Sequence, residues 1–288
     1  MVLRIISGGV TLINGTGYKI SGGKTLINGT GQNITFGKSI NTVSVGDKIY
    51  MTVGGVRTEF LVLHKGNPNT SIYDSSCDGI WVTVTHAPDV TMLFYAKNPT
   101  GNSIDYRYNP YTGEQYYEGI IYNTSNVHQY MNSTYYQSIN NIQRKYIKTV
   151  KIPYMEDTQL SVTYNTKENG VIANVFSLCD RELTPNTAYY AVGSVLNYFS
   201  NSGLGDDNIR SLLYSTETCY CNYWVRDSTR NWDDGSYDTK ASYISNKGGF
   251  RGTSKWEGNR LSELLCYIRP TMILSYDTKL DSNNTVIG

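Results

Sequence analysis

Histidine and cysteine are scarce in this chain, 3 and 5 copies in 288 residues, and each scarcity removes a class of chemistry. His64, His86 and His128 lie far apart in sequence, so a catalytic imidazole set or a histidine-rich metal centre has little to draw on. The cysteines, Cys77, Cys179, Cys219, Cys221 and Cys266, are odd in number and follow no framework spacing, so free thiols are expected. Cys219-x-Cys221 lacks the two-residue gap of common zinc sites, and neither a metal nor a cofactor is expected. Charge is also sparse: 17% of residues are charged, 25 basic against 24 acidic, for a net +1. No overall field would draw the chain to nucleic acid or to an anionic membrane. No apolar run reaches membrane-spanning length, and the opening Met1-Val2-Leu3-Arg4-Ile5-Ile6 leads into Ser7-Gly8-Gly9 without the apolar stretch of a signal peptide. Synthesis in a cytoplasm as a soluble protein is therefore the expectation.

What the chain has in abundance is tyrosine, 26 copies against 6 Phe, with much Asn, Ser, Thr and Gly. Tyrosine supplies stiff contact area with a polar tip, as binding surfaces need, and Tyr and Thr are also good strand formers. The fold class expected is α+β, mostly β. The first 40 residues carry a repeat: Ile6-Ser7-Gly8-Gly9-Val10-Thr11-Leu12-Ile13-Asn14-Gly15-Thr16-Gly17 returns fourteen residues later as Ile20 to Gly31. Each unit ends in Asn-Gly, the strongest short hairpin signal, because both turn positions favour positive φ. Two such units cannot bury a core alone. Residues 1–40 are thus expected to be an attachment or oligomerisation arm, packing on copies of itself or on another protein, with residues 41–288 forming the main domain.

In that domain, Val43 to Leu63 reads as two strands about Gly54-Gly55, and Ile80 to Val84 as a third. Ala96 to Glu118, rich in Asn, Pro, Gly and Tyr, reads as a surface loop. Ser125 is a candidate N-cap for a helix whose stripe is Val127, Tyr130, Met131, Thr134, Ile139 and Ile142, ending near Lys145. Ile147 to Ile152 alternates like a strand, and Val175 to Leu178 reads as a short one. Thr184-Pro185 suggests the cap and first turn of a second helix with Ala188, Ala191, Val192, Val195, Leu196 and Phe199 on one face. Later strands are expected over Cys221 to Arg226, Ala241 to Ile244 and Cys266 to Leu274, so that two helices separate an early β block from a late one.

Two motifs in the last third, Tyr223-Trp224-Val225-Arg226-Asp227-Ser228 and Ile268-Arg269-Pro270, bracket about forty residues of aromatic, Asp, Asn, Ser and Gly. With Val45-Gly46-Asp47, Glu59-Phe60-Leu61-Val62-Leu63, Tyr130 to Tyr136, Ile147 to Val150 and Val175 to Leu178, they resemble, over residues 43 to 275, a domain of unassigned activity found in structural proteins of phages and prophages of Gram-positive bacteria. Phe60 stands where that pattern has Trp, and Asp227 where it has Ser. The leader repeat likewise resembles the arms of phage tail or virion proteins. The resemblance implies a C-type-lectin-like fold with two helices, a small antiparallel sheet and a late irregular region that presents a binding surface.

On that reading Trp224, Arg226, Arg269 and Pro270 are framework, an arginine using its five donors to tie loops together. Recognition is expected in the interval between the motifs, at Arg230, Trp232, Asp233, Asp234, Tyr237, Tyr243, Arg251, Trp256 and Asn259, residue types that dominate interfaces and suit sugar rings. No Ser/His/Asp set, phosphate loop or metal-bearing helix is present in the sequence pattern, and the carboxylates Glu114, Glu118, Asp206 and Asp207 are not singled out by spacing for glycoside hydrolysis. The expected function is a non-enzymatic bacteriophage virion protein, tail- or capsid-associated, attaching to a host-surface glycan or protein, anchored to other virion proteins by its arm and forming a homo-oligomer. The alternatives are a purely structural decoration or tail protein and, behind it, a cell-wall glycan hydrolase.

Overall fold

The computed structural model describes residues 37–88, 90–92, 94, 122–156, 162–184, 192–200, 222–227, 241–245 and 266–287 in full. For residues 5–6, 10–13, 16–19, 23–27, 30–34, 106–108, 115–117, 120–121, 157, 228–231, 238–240 and 250–253 it describes the strand backbone. Among the described residues the chain is α+β and mostly β, its helices short.

The centre of the fold is a four-stranded antiparallel sheet in the order Thr271–Leu274, Ile80–Val84, Val56–Lys65, Lys48–Val53. The two strands expected about Gly54-Gly55 form here. Both glycines sit at positive φ, +58° and +81°, which is what a two-residue hairpin between Val53 and Val56 requires. Phe60, Leu61, Val62 and Leu63 are all buried, as is every residue of Ile80–Val84 and Thr271–Leu274, so the middle of this sheet is covered on both faces. Trp81 anchors one side. Its indole N–H donates to the carbonyls of Cys77 at 3.0 Å and Gly66 at 3.1 Å, and its ring meets Tyr73 and Phe176 edge to face. Burying such a ring contributes roughly 1.5–3 kcal/mol or more, and its one polar atom is satisfied.

Because Thr271–Leu274 pairs with Ile80–Val84, the late β segment is a strand of the same sheet as the early ones, and the expected separation into two β blocks is corrected. Cys266 to Leu274 is likewise divided: Cys266–Tyr267 belongs to a second sheet and Thr271–Leu274 to the first, with Arg269 and Pro270 at the crossing. That second sheet has five strands in the order Thr91–Met92, Cys266–Tyr267, Tyr223–Asn231, Asp238–Ile244, Phe250–Thr253.

The first expected helix is present but broken. Ser125 caps Asn126–Tyr130 by accepting from His128 N at 3.1 Å. Met131–Tyr135 then widens into a π turn, Tyr136–Ser138 resumes α, Ile139 turns extended, and Asn140 caps a fresh turn, Asn141–Arg144. The extra residue in the wide turn displaces the stripe by one position. Val127, Met131, Tyr135 and Ile139 face the core, while Thr134 and Ile142, expected on that stripe, are exposed.

The second expected helix is not what forms around Thr184. Asp180–Leu183 is the helical turn, and Thr184 lies past its end with extended φ and ψ of −149° and 143°. Pro185 to Ala191 lie outside the described residues. Val192, Val195 and Leu196 are not helical, and only Asn197–Ser200 forms a short helix, packed near His64 through Asn197 N. Val175 to Leu178 makes one bridge, Phe176 to Thr271, rather than a strand. Of Ile147 to Ile152, Val150–Ile152 is a strand, paired with Val171–Ala173. The segment read as a surface loop contains paired strands, Tyr106–Tyr108 with Gln115–Tyr117.

The leader repeat forms two hairpins of matching register, Ile13 opposite Thr16 and Ile27 opposite Thr30, so each Asn-Gly is a two-residue connection. No helix among the described residues is long and apolar enough to cross a membrane.

Candidate functional site

The strand Tyr223–Asn231 begins with five consecutive buried residues, Tyr223, Trp224, Val225, Arg226 and Asp227. Simple alternation would put every second one in solvent. A bulge resolves this: between the pairs Trp224–Tyr243 and Ser228–Ala241 the first strand has Val225, Arg226 and Asp227 where its partner has only Ser242. The surplus residues bend the strand and let neighbouring side chains turn into the core.

Arg226 uses that bend to reach a closed polar hub. Its Nε donates to Pro153 O at 2.8 Å, one terminal nitrogen donates to Ser177 O at 2.6 Å and Glu182 Oε2 at 2.8 Å, and the other donates to Glu182 Oε1. Glu182 is reached from two further directions. Cys179 N donates to Oε2 at 3.0 Å, the Tyr73 hydroxyl donates to Oε1 at 2.7 Å, and Tyr73 in turn accepts from Ser194 N at 3.1 Å. All of these side chains are buried, and Gly193 passes so close that a Cβ there would lie 2.6 Å from Cys179 Sγ. A pair with both partners this fully hydrogen-bonded offsets much of its desolvation, whereas removing either partner would strand a charge. Burial pushes the Tyr73 hydroxyl and the Cys179 thiol well above their usual ranges, so both stay protonated and neither is a nucleophile.

Asp227 adds a second tie. Its Oδ2 accepts from Asp180 N, while Oδ1 is buried and meets no hydrogen-bond partner among the described residues. Burial lifts this carboxyl to about 8, so near neutrality it is largely the uncharged acid. Arg269, from the other motif, is also buried, donates to Val84 O at 3.0 Å and Thr85 O at 3.1 Å, and stacks over Tyr223 at 5.0 Å. Trp224 donates to Met92 O at 2.8 Å and packs edge to face on Phe94. The two motifs thus hold adjoining strands of one sheet and are not exposed to ligand.

Of the residues expected to recognise a ligand, three fall on strands of this sheet, Arg230 on the middle strand, Tyr243 on the next and Arg251 on the edge strand. Arg230 pairs with Thr239, and Arg251 pairs with Tyr243, which pairs on its other side with Trp224. Tyr243 is half-buried, its ring edge on Trp224 at 6.0 Å. Trp232, Asp233, Asp234, Tyr237, Trp256 and Asn259 lie outside the described residues, as do Glu114, Glu118, Asp206, Asp207, Cys219 and Cys221. Cys77, Cys179 and Cys266 are free and buried. Among the described residues no three His, Cys, Asp or Glu side chains are grouped to hold a metal.

Glu182 and Tyr73 were not legible as partners of Arg226. Asp180-Arg181-Glu182-Leu183 carries no motif that the sequence analysis used. The available signal was Glu182 standing three residues after Cys179, the spacing at which a side chain returns to the residue before a helix.

The class these features define is an α+β, mostly β domain that knits two arginine motifs into one core. Residues 101–276 match the family described as "Domain of unknown function (DUF6273)". That is more than half of the chain, and the protein belongs to this family. The matched span includes Arg226, Glu182 and Arg269 but starts after three of the four central strands, of which Ile80–Val84 pairs directly with its Thr271–Leu274. No curated protein and no solved structure matches the chain.

Proposed function

We propose that this protein is a bacteriophage virion component, tail- or capsid-associated, made in the host bacterial cytoplasm, whose C-type-lectin-like domain binds a host-surface glycan or protein without chemical turnover. The observation that carries the reading is the hairpin Tyr223–Asn231 with Asp238–Ile244: its root is fixed in the core by Arg226 and Asp227, and beyond the bulge it continues into the interval that holds Arg230, Trp232, Arg251 and Trp256. A recognition loop benefits from such a root, because rigidity at the base lowers the ordering cost of binding. The arm of matched hairpins supports attachment to other virion proteins and self-association, since isolated hairpins of this size need a partner to persist.

The test is pull-down of purified full-length protein on host cells and isolated wall glycan, with Trp232→Ala and Trp256→Ala beside it. Binding that either substitution reduces supports the reading. Binding untouched by both moves recognition elsewhere. No binding, together with normal adsorption of particles lacking the protein, favours a structural decoration.

A further inference from the structure

A second polar surface lies beside the last strand of the central sheet, Lys48–Val53, where Tyr50 bridges to Thr285, and is outside the interval above. It is a cleft of about 790 Å³ lined chiefly by Asp47, Lys48, Tyr50, Arg57, Ser282 and Asn283. Lys48–Val53 and Val56–Lys65 set Tyr50 opposite Glu59 and Thr52 opposite Arg57, so Arg57 is the diagonal neighbour of Tyr50. The guanidinium lies over the tyrosine ring at 3.3 Å from its centroid. One terminal nitrogen donates to Asn283 O at 3.3 Å, and no other acceptor meets Arg57 among the described residues. The neighbouring charges are already engaged: Glu59 takes Lys48 at 2.9 Å and the Tyr50 hydroxyl at 3.0 Å. The far wall is fixed by Asn284, which adopts φ +59°, accepts from Tyr50 N at 3.0 Å and donates its amide to Lys48 O at 3.0 Å.

An exposed arginine ordinarily samples many rotamers. This one is held by ring and carbonyl with most of its planar donor fork open among the described residues, and Ser282 and Asn283 line the same cleft. Such a fork matches the two oxygens of a carboxylate or phosphate, and its preorganisation lowers the entropy lost on binding. Asp47 adds the other half of the chemistry. One of its oxygens accepts from Ser44 N at 2.8 Å, and the second, with no partner among the described residues, remains for a ligand hydroxyl. We propose that this cleft binds an acidic sugar unit, a hydroxyl-bearing group carrying a carboxylate or a phosphate, with Arg57 on the oxyanion and Asp47 on a hydroxyl. The site does not depend on the recognition interval and would add a second contact to the same polymer, where linked weak sites multiply.

The experiment is a titration of the full-length protein, followed by amide NMR, with glucuronate, glycerol phosphate and glucose. Saturating shifts at Tyr50, Arg57 and Asn283 with either anion, with a dissociation constant of about a millimolar as suits a single small unit, and none with glucose, are expected. Saturation by one anion only identifies which oxyanion the cleft takes. Arg57→Ala should weaken the anion about tenfold or more, and Arg57→Lys, which keeps charge but loses the fork, should fall between. Equal response to glucose, no saturation by either anion, or full binding by Arg57→Ala overturns the proposal.

Discussion

Two arginines on strands of this molecule face opposite situations. Arg226 is sealed, with four hydrogen bonds to Pro153, Ser177 and Glu182 inside the core. Arg57 is stacked on Tyr50 at the rim with a single carbonyl contact. The difference shows how one residue type serves two ends: a saturated guanidinium fixes geometry and has nothing left to offer a ligand, while a positioned but unsaturated one contributes little to stability and keeps its donors for something else.

The comparison is broken most severely at Glu182. Glu182→Ala leaves the Arg226 charge buried without its carboxylate and should cost about 3–5 kcal/mol in urea unfolding. Loss below 1 kcal/mol would mean that the hub is hydrated. Gly193→Ala is next, because its Cβ would press on Cys179 Sγ at 2.6 Å and Tyr73 Oη at 3.0 Å. About 1–3 kcal/mol of overpacking is expected, read as a lowered melting temperature.

Asp227 gives a pH signature of comparable size. Its acid form is favoured in the folded state, about 8 against the ordinary 3.8, so the stability it contributes is full below about pH 4 and is lost as pH rises through 8. Burial holds His128 down at about 4 and His64 below 6.5, so these two act in the opposite sense, but only below about pH 6.5. Between pH 6.5 and 8 the Asp227 slope should dominate, at most about 2 kcal/mol, and Asp227→Asn should flatten it in denaturant titrations across that window. An unchanged slope would remove Asp227 as its source. Tyr73→Phe removes one donor to Glu182 and the acceptor of Ser194 N, for about 1–2 kcal/mol by the same unfolding assay. At the other end, Arg57→Ala should change stability by no more than about 0.5 kcal/mol, a value whose excess would make Arg57 a second structural clasp.

Much of the framework was legible because it rests on local chemistry. Asn14-Gly15 and Asn28-Gly29 predicted two-residue turns, Gly54-Gly55 a third, and Ser125 a cap, each depending only on residues a few positions apart. Trp224, Arg226 and Arg269, expected as framework from the family resemblance and the donor capacity of arginine, are buried. What escaped depends on distance or on competing local geometry. The helical stripe looked continuous through Ile142 because periodicity carries no sign of a π turn, although Asn140 was an available restart signal. Thr184-Pro185 has the chemistry of a helix start, yet Thr184 closes the turn that brings Glu182 to Arg226, a tertiary demand that overrides a local preference. The pairing of Glu182 with an arginine forty-four residues later has no sequence signature at all.

The bulge at Val225–Asp227 has a consequence for register. It divides one ladder into two sections, an inner pair at Tyr223 and Trp224 and an outer run from Ser228 to Asn231. A one-residue slip in an unbroken ladder would turn every side chain over, including those of the core. Here the buried Arg226 and Asp227 contacts hold the inner section independently of the outer rungs. The register of the inner section is thereby set by its own buried contacts, separately from the outer run that starts at the buried Ala241.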